Sequence, residues 1–528
     1  MGVTAWFAPP NTWDSLVYHM SRVVHWIQNR SVAHYSTVEL RQLIHPPWAE
    51  FAIMHFQILS QGDHWAGFVQ WFSLLGSVIA ASLVAGALGA KLMGQIAASM
   101  VCLTIPSGIL QASGTKNDYA VGYWLVVFVY FLLLYRDKLK VGYLLGLATG
   151  LGLAFLTKIS ALVFSVPFLL WLLLLEIKQC RREAWKHSIL VLGIVLILNV
   201  SPWARNFSLF GYPFTQRWKE SLAASDLTRA KNEVISVPFF IVLVADNIFA
   251  HLGSPVQPLN RAIASVKYHL HRFLGVTYSD ARITYGAVPE YTIIDFSMEE
   301  VSAGNLYHVI LATAALVLCI SLSRFRQHTV LIYGTALCVA FVFFCAYHRW
   351  SPYNVRLHLP LFVMAASWIG FVLAESSPKW ITHFILTTLC LMILPYTFWN
   401  PWRPIFGARS VIATDRWEQY FYTLSELGDP IRSVTSMIRS RGYKNIGLVI
   451  GKDHWEYPYW VFLNAGPRTG IRIEHLDVDN VSKTIPQADF VPEAVIFSRN
   501  DPELLGKYDG LFQESYYYGK LALYMSRK

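Results

Sequence analysis

A chain of 528 residues with 54% hydrophobic and only 14% charged residues, against roughly 25% charged in an average soluble protein, cannot cover its own surface as a set of soluble domains. The net charge of +10 does not point to nucleic acid, because much of the excess falls in short loops between apolar runs. The 19 Trp and 27 Tyr residues suit many helix ends at a membrane–water interface, and the six cysteines offer neither a disulfide framework nor a cysteine-based zinc spacing.

The chain opens on Gly2–Pro10, which lacks the basic region and cleavage site of a signal peptide. It reads as the last turn of a missing first span, that is, a truncated or misassigned start, with a re-entrant or translocated N-terminus as the alternative. In segment 11–65, Trp13, Leu16, Val17, Met20, Val23, Val24 and Ile27 make one stripe at helical spacing, which predicts an amphipathic helix lying on the membrane. His45-Pro46-Pro47 breaks the chain before a second helix from Trp48 to Leu59.

Apolar runs long enough to cross a bilayer follow at about 67–90, 95–113, 119–135, 141–157, 159–175, 187–203, 304–323, 328–347, 357–374 and 380–398. Alternate short loops carry Lys91; Arg136, Lys138 and Lys140; Lys178, Arg181, Arg182 and Lys186; Arg324 and Arg326; and Lys379. The opposite short loops hold only Lys116, Lys158, Arg349 and Arg356. The richer set is therefore cytoplasmic, which places 1–65, the long loop 204–303 and the tail outside. In that long loop, apolar patches such as Val237–Val244 predict short helices.

The tail alternates helix and strand. Asp429-Pro430 starts a helix that ends near Gly442, Ile446–Ile450 is a strand, and Trp455–Leu463 is a helix. Ile471–Leu476, Ala494–Phe497 and Leu521–Met525 are further strands. The predicted fold class is mainly α, a polytopic helical bundle with a small extracytoplasmic α/β domain. Its parts are 1–65, a transmembrane domain of about ten helices over 66–400, and 401–528.

Ionisable residues at the outer mouth of the spans are the candidates for chemistry. Asp14 begins the amphipathic helix and Asp118 opens the third span, each equally readable as a helix cap. Lys158, Arg205 and Arg356 are cations on the same side, suited to a lipid phosphate. Taken singly, each is more readily explained by snorkelling to water or lipid head groups.

Four segments together resemble the class C membrane glycosyltransferases, the group of the protein O-mannosyltransferases and the lipid A aminoarabinose transferase (glycosyltransferase family 39-like). They are Asp14 and Tyr18 followed by His45-Pro46-Pro47-Trp48; Asp118; Leu156-Thr157-Lys158; and Pro202-Trp203-Ala204-Arg205-Asn206 running on to Gly211-Tyr212-Pro213. Arg356, in Val355-Arg356-Leu357-His358-Leu359-Pro360, resembles the late-loop arginine of that group. The resemblance implies Asp14 as general base or acceptor-orienting group, with Asp118 supporting it. It implies Lys158, Arg205 and Arg356 as ligands of the donor phosphate, and Tyr18, His45 and His358 as substrate contacts.

The chain also departs from the group. Ser15 stands where many relatives have a second acid, and Ile44-His45 stands where some have Glu-Lys. A divalent ion is the one cofactor left open, with Asp14, His19, His45, Glu50 and Asp118 as its candidate ligands. The expected partners are a lipid-linked sugar donor and membrane lipids.

Two acidic motifs are set aside. Asp477-Val478-Asp479 matches a nucleotide-sugar pattern but lies outside, where such sugars are scarce. Asp453-His454-Trp455-Glu456 is more simply a helix start with acids in its first turn. The expected function is transfer of a sugar from a polyprenyl phosphate to an acceptor beyond the cytoplasm. The alternatives are a transporter or lipid flippase, an envelope polymerase or ligase, and a ligand sensor.

Overall fold

The computed structural model describes residues 1–213, 231–234, 236–285, 295–325, 328–486, 489–498 and 502–526. Arg326, one of the counted loop cations, and parts of the loop 204–303 lie outside the described residues.

Every predicted span contains a helix. They are Phe68–Ala87, Leu92–Leu103, Asp118–Lys138, Val141–Thr157, Ser160–Gln179, Ala184–Phe210, Leu306–Ser321, His328–Tyr347, Leu359–Ser376 and Lys379–Met392. Among the described residues, seven helices are long and apolar enough to cross a membrane, and Leu92–Leu103, Val141–Thr157 and Leu306–Ser321 are shorter apolar helices. The second predicted span is broken because Pro106 cannot donate to the turn before it, and Ile105 takes the extended conformation that a following proline favours. A short helix, Pro106–Gln111, then completes the run.

Burial separates the centre of the bundle from its rim. Leu359–Ser376 is 72% buried within the protein and Ala184–Phe210 only 11%, so the first is the central helix and the second presents its sides to lipid. Leu359–Ser376 lies tightly against Leu92–Leu103 because Gly370 has no side chain. A Cβ there would stand 2.3 Å from the Ala98 nitrogen, and backbone cannot yield as a flexible side chain would. Gly370→Ala is therefore expected to cost at least the roughly 1–3 kcal/mol of ordinary overpacking, read as a lowered melting temperature in detergent.

The tail folds into a five-stranded sheet of β1 (Asn445–Val449), β2 (Arg472–His475), β3 (Ala494–Phe497), β4 (Glu514–Tyr518) and β5 (Leu521–Met525). The strand order is β2-β1-β3-β5-β4, with the first three parallel and the last two joined antiparallel. The helix Gly428–Arg441 ends as predicted at Gly442, whose φ of 69° is the left-handed region glycine tolerates.

Segment 11–65 differs from expectation. Leu16, Val17, Met20 and Val23 are fully buried, sharing one core with Trp455, Tyr459, Trp460 and Ile473 of the tail. The buried part of the stripe is covered by protein rather than by lipid, since the tail packs aromatic residues over it, while Trp13 stays exposed. Segment 11–65, the described part of the loop 204–303 and the tail thus gather at one end of the bundle, joined by contacts such as Gln28 with Ile473 and Arg403 with Glu300.

Candidate active site

Asp14 precedes a single turn of π-helix, Ser15–His19, that runs into Met20–Asn29. Such turns often mark functional positions. Asp118 is the first residue of Asp118–Lys138, and Lys158 is the extended residue between Val141–Thr157 and Ser160–Gln179. Hydrogen bonds between the residues beside them draw these three together. The Thr115 hydroxyl donates to the Ser15 hydroxyl at 2.7 Å, and Asn117 Nδ2 donates to the Thr157 carbonyl at 3.0 Å. Ser15, where many relatives carry an acid, serves here as that bridge and also meets Thr12 at 2.6 Å.

Arg356 completes the group. Its Nη1 donates to Asp14 Oδ2 at 2.5 Å, and its charge acts on Asp118 as well. Lys158 is ion-paired with Asp118. Behind them Lys116, almost wholly buried, sits 2.5 Å from Glu300, which also pairs with Arg403. Burial alone would raise the Asp14 carboxyl. The cations around it, Arg356 foremost and then Lys116 and Arg41, outweigh that and hold it well below the ordinary carboxylate range.

Tyr18 lines the same group, its ring 5.2 Å from that of His45 and beneath the Arg41 guanidinium at 4.9 Å. Burial, and next the Arg22 charge, hold the His45 imidazole well below its usual pKa, so it is neutral. A neutral ring can share a hydrogen bond with a phosphate but cannot anchor it by charge, as the lysine of relatives could. His45 also borders a pocket of about 110 Å³ lined by Pro46, Phe155, Ile159, Trp203 and Asn206.

Two predicted residues stand apart. Arg205 lies towards His34 and Arg22, beside that pocket. His358 is buried, sharing a hydrogen bond at 2.9 Å with His251 and packed on Phe344.

Four of the five candidate metal ligands, all but His45, already have side-chain partners. Asp14 faces Arg356 and Asp118 faces Lys158, while His19 Nδ1 meets Glu50 at 2.6 Å with Arg22 3.7 Å from the same carboxylate. With these partners in place the set does not fit a divalent ion. Lys116, Glu300 and Arg403 were missed as site residues, since only the fold brings these distant positions together. The acids set aside are also placed. Asp477 is bonded to Lys507 and Tyr508. Glu456, expected as a first-turn helix acid, instead precedes the helix Tyr457–Leu463 and is fully buried between His25 and His475.

Residues 44–203 match the family model described as dolichyl-phosphate-mannose-protein mannosyltransferase. That stretch holds His45, Asp118 and Lys158. No curated protein matches the sequence. Over 99% of its length the chain has the fold of ArnT from Cupriavidus metallidurans. In the form bound to undecaprenyl phosphate the TM-score is 0.57 at 13% identity, covering 95% of that chain. In the apo form it is 0.54 at 12%, covering 96%. The Archaeoglobus fulgidus oligosaccharyltransferase tethered to an acceptor peptide aligns at 0.47 and 11%, over 88% of this chain and 60% of that one.

The fold is thus ArnT-like, a multi-pass helical bundle with a small sheet domain. In sequence, residues 44–203 are similar to the protein mannosyltransferase family, and in fold the whole chain is similar to ArnT.

Proposed function

We propose that this protein transfers a hexose or pentose from a polyprenyl-phosphate donor to an acceptor on the non-cytoplasmic side of the cell membrane. The observation that carries the reading is the meeting of Asp14 and Asp118 with Arg356, Lys158 and Lys116 at one end of the bundle. The excess of Lys and Arg in the loops of the opposite end supports the extracytoplasmic, periplasmic side for this one. The ArnT relative bound to undecaprenyl phosphate supports the donor class.

The chemistry follows from the charges. Attack at the anomeric carbon needs a base on the acceptor hydroxyl, while the leaving group is already a stabilised phosphate. A second acid is not needed, unlike in the two-carboxylate glycosidases. Arg356, now held by Asp14, is the cation the incoming phosphate competes for. As the phosphate takes a share of it, the Asp14 carboxylate loses its strongest counter-charge and becomes the better base. Lys158 offers a second charge to the phosphate, and the pocket beside His45 takes the first apolar part of the carrier.

A pH profile separates this site from an unpaired carboxylate. Because the folded Asp14 pKa lies below its unfolded value, the group stays ionised as pH falls through the ordinary carboxylate range. The stability its ion pair gives is present above that range and lost only as pH falls through the depressed value. The acid limb of kcat/KM, which reports the free enzyme, is therefore expected to show no titration of Asp14 between about pH 4 and 7.

The deciding assay incubates purified protein with radiolabelled polyprenyl-phosphate sugars and membrane acceptors, and position 14 is tested for side by cysteine labelling. Transfer from such a donor, with position 14 labelled from the non-cytoplasmic side, supports the reading. No transfer with any donor, alongside lipid or substrate flux in proteoliposomes, replaces it with the transporter.

A further inference from the structure

The tail meets the Met20–Asn29 helix through a group the proposed transfer does not use. His25 contributes from that helix, Glu456 from the turn before Tyr457–Leu463, and His475 from the last residue of β2. His25 Nε2 stands 2.7 Å from Glu456 Oε1, and His475 Nε2 stands 3.2 Å from Glu456 Oε2, so each imidazole meets its own carboxylate oxygen. The three ligand atoms lie within 4.8 Å of one another, and all three residues are buried.

We propose that His25, Glu456 and His475 bind one first-row divalent transition cation, zinc foremost, which fastens the tail to the Met20–Asn29 helix. Two imidazoles and a carboxylate are a donor set that zinc takes readily, with a fourth position left for water.

Three observations carry the site beyond a hydrogen-bonded cluster. The carboxylate is oriented by groups other than the imidazoles, Trp460 Nε1 donating at 2.9 Å and Gln42 Nε2 at 2.6 Å. Outer hydrogen bonds of this kind fix a ligating carboxylate and tune its affinity. Among the described residues no Lys or Arg is ion-paired with Glu456. A dication would give this buried carboxylate a fixed counter-charge. The seam is also held in register without the metal, since Gln28 exchanges two hydrogen bonds with the Ile473 backbone at 3.0 and 2.9 Å. The ligands are therefore positioned in advance. Tyr35 stacked on His25 at 4.2 Å closes one side from water.

The site is independent of the transfer reading, and its test needs no activity. The full chain in nanodiscs is stripped with chelator and titrated with Co²⁺, which reports nitrogen and oxygen ligation by its visible d–d absorption. One equivalent is expected to bind, to be displaced by Zn²⁺, and to raise the melting temperature. His25→Ala and His475→Ala are expected to weaken it by more than the roughly 10–100-fold that loss of an outer hydrogen-bonding partner costs.

His187→Ala serves as control, because Glu176, Cys180 and His187 form the other such cluster among the described residues. Failure of the wild type to take up one equivalent overturns the proposal, and that result does not depend on any variant folding. So does a cobalt signal that survives His25→Ala or disappears with His187→Ala.

Discussion

Asp14→Asn is expected to lower kcat by about 10²–10⁴-fold, the range a positioned general base contributes, while leaving the protein folded. Asparagine keeps the shape of the side chain but can neither take a proton from the acceptor nor form an ion pair with Arg356, to which it offers only a neutral amide oxygen. The same change removes the charge that holds Arg356 Nη1 at 2.5 Å from the carboxylate, so the donor phosphate meets a cation with no competing anion at position 14. KM for the donor is therefore expected to stay level or fall while kcat collapses. A group that merely shaped the pocket would give the opposite pattern, a raised KM with kcat retained. Steady-state transfer rates over a range of donor concentrations separate the two, and undiminished kcat in the variant removes Asp14 from the mechanism.

Asp14 and Asp118 were legible from the sequence because carboxylates at the mouths of apolar runs are costly and so stand out. The spans were legible for a related reason: lipid leaves helices as the economical form for such runs. The helix Gly428–Arg441 and strands β3 and β5 could likewise be read from local signals, a proline near the start, a glycine at the end and short apolar runs.

What escaped was pairing at long range. Lys116 was visible only as a loop cation, and nothing local ties it to Glu300 or ties Glu300 to Arg403. The stripe Leu16–Val23 shows that a face is apolar, yet its periodicity is the same whether lipid or a tail some 430 residues away covers it. Strand β4 was missed because Glu514–Tyr518 is half-exposed at the sheet edge, where three tyrosines give no clean apolar run.

Glu300→Ala is expected to have the largest effect on stability of any single change outside the reacting groups. Glu300 lies buried between Lys116 and Arg403, both almost fully buried as well. Burial alone would raise its carboxyl, and Arg403 with Lys116 pulls it below the usual range, so the carboxylate is ionised. Removing the one anion leaves two cations facing each other without water, a change that costs about 3–5 kcal/mol when one partner of a buried pair is lost. Glu300→Gln keeps the volume and loses only the charge, so it is expected to fall nearly as far. Loss of Lys116 as well should recover part of the deficit, since one unpaired charge is then gone. Thermal unfolding of Glu300→Gln, Lys116→Met and the double variant measures that coupling. Additive losses would mean that Glu300 does not compensate Lys116. Coupling of the expected sign would show that the Lys116–Glu300 pair behind Asp14 and Asp118 joins two loops that meet only in the folded chain.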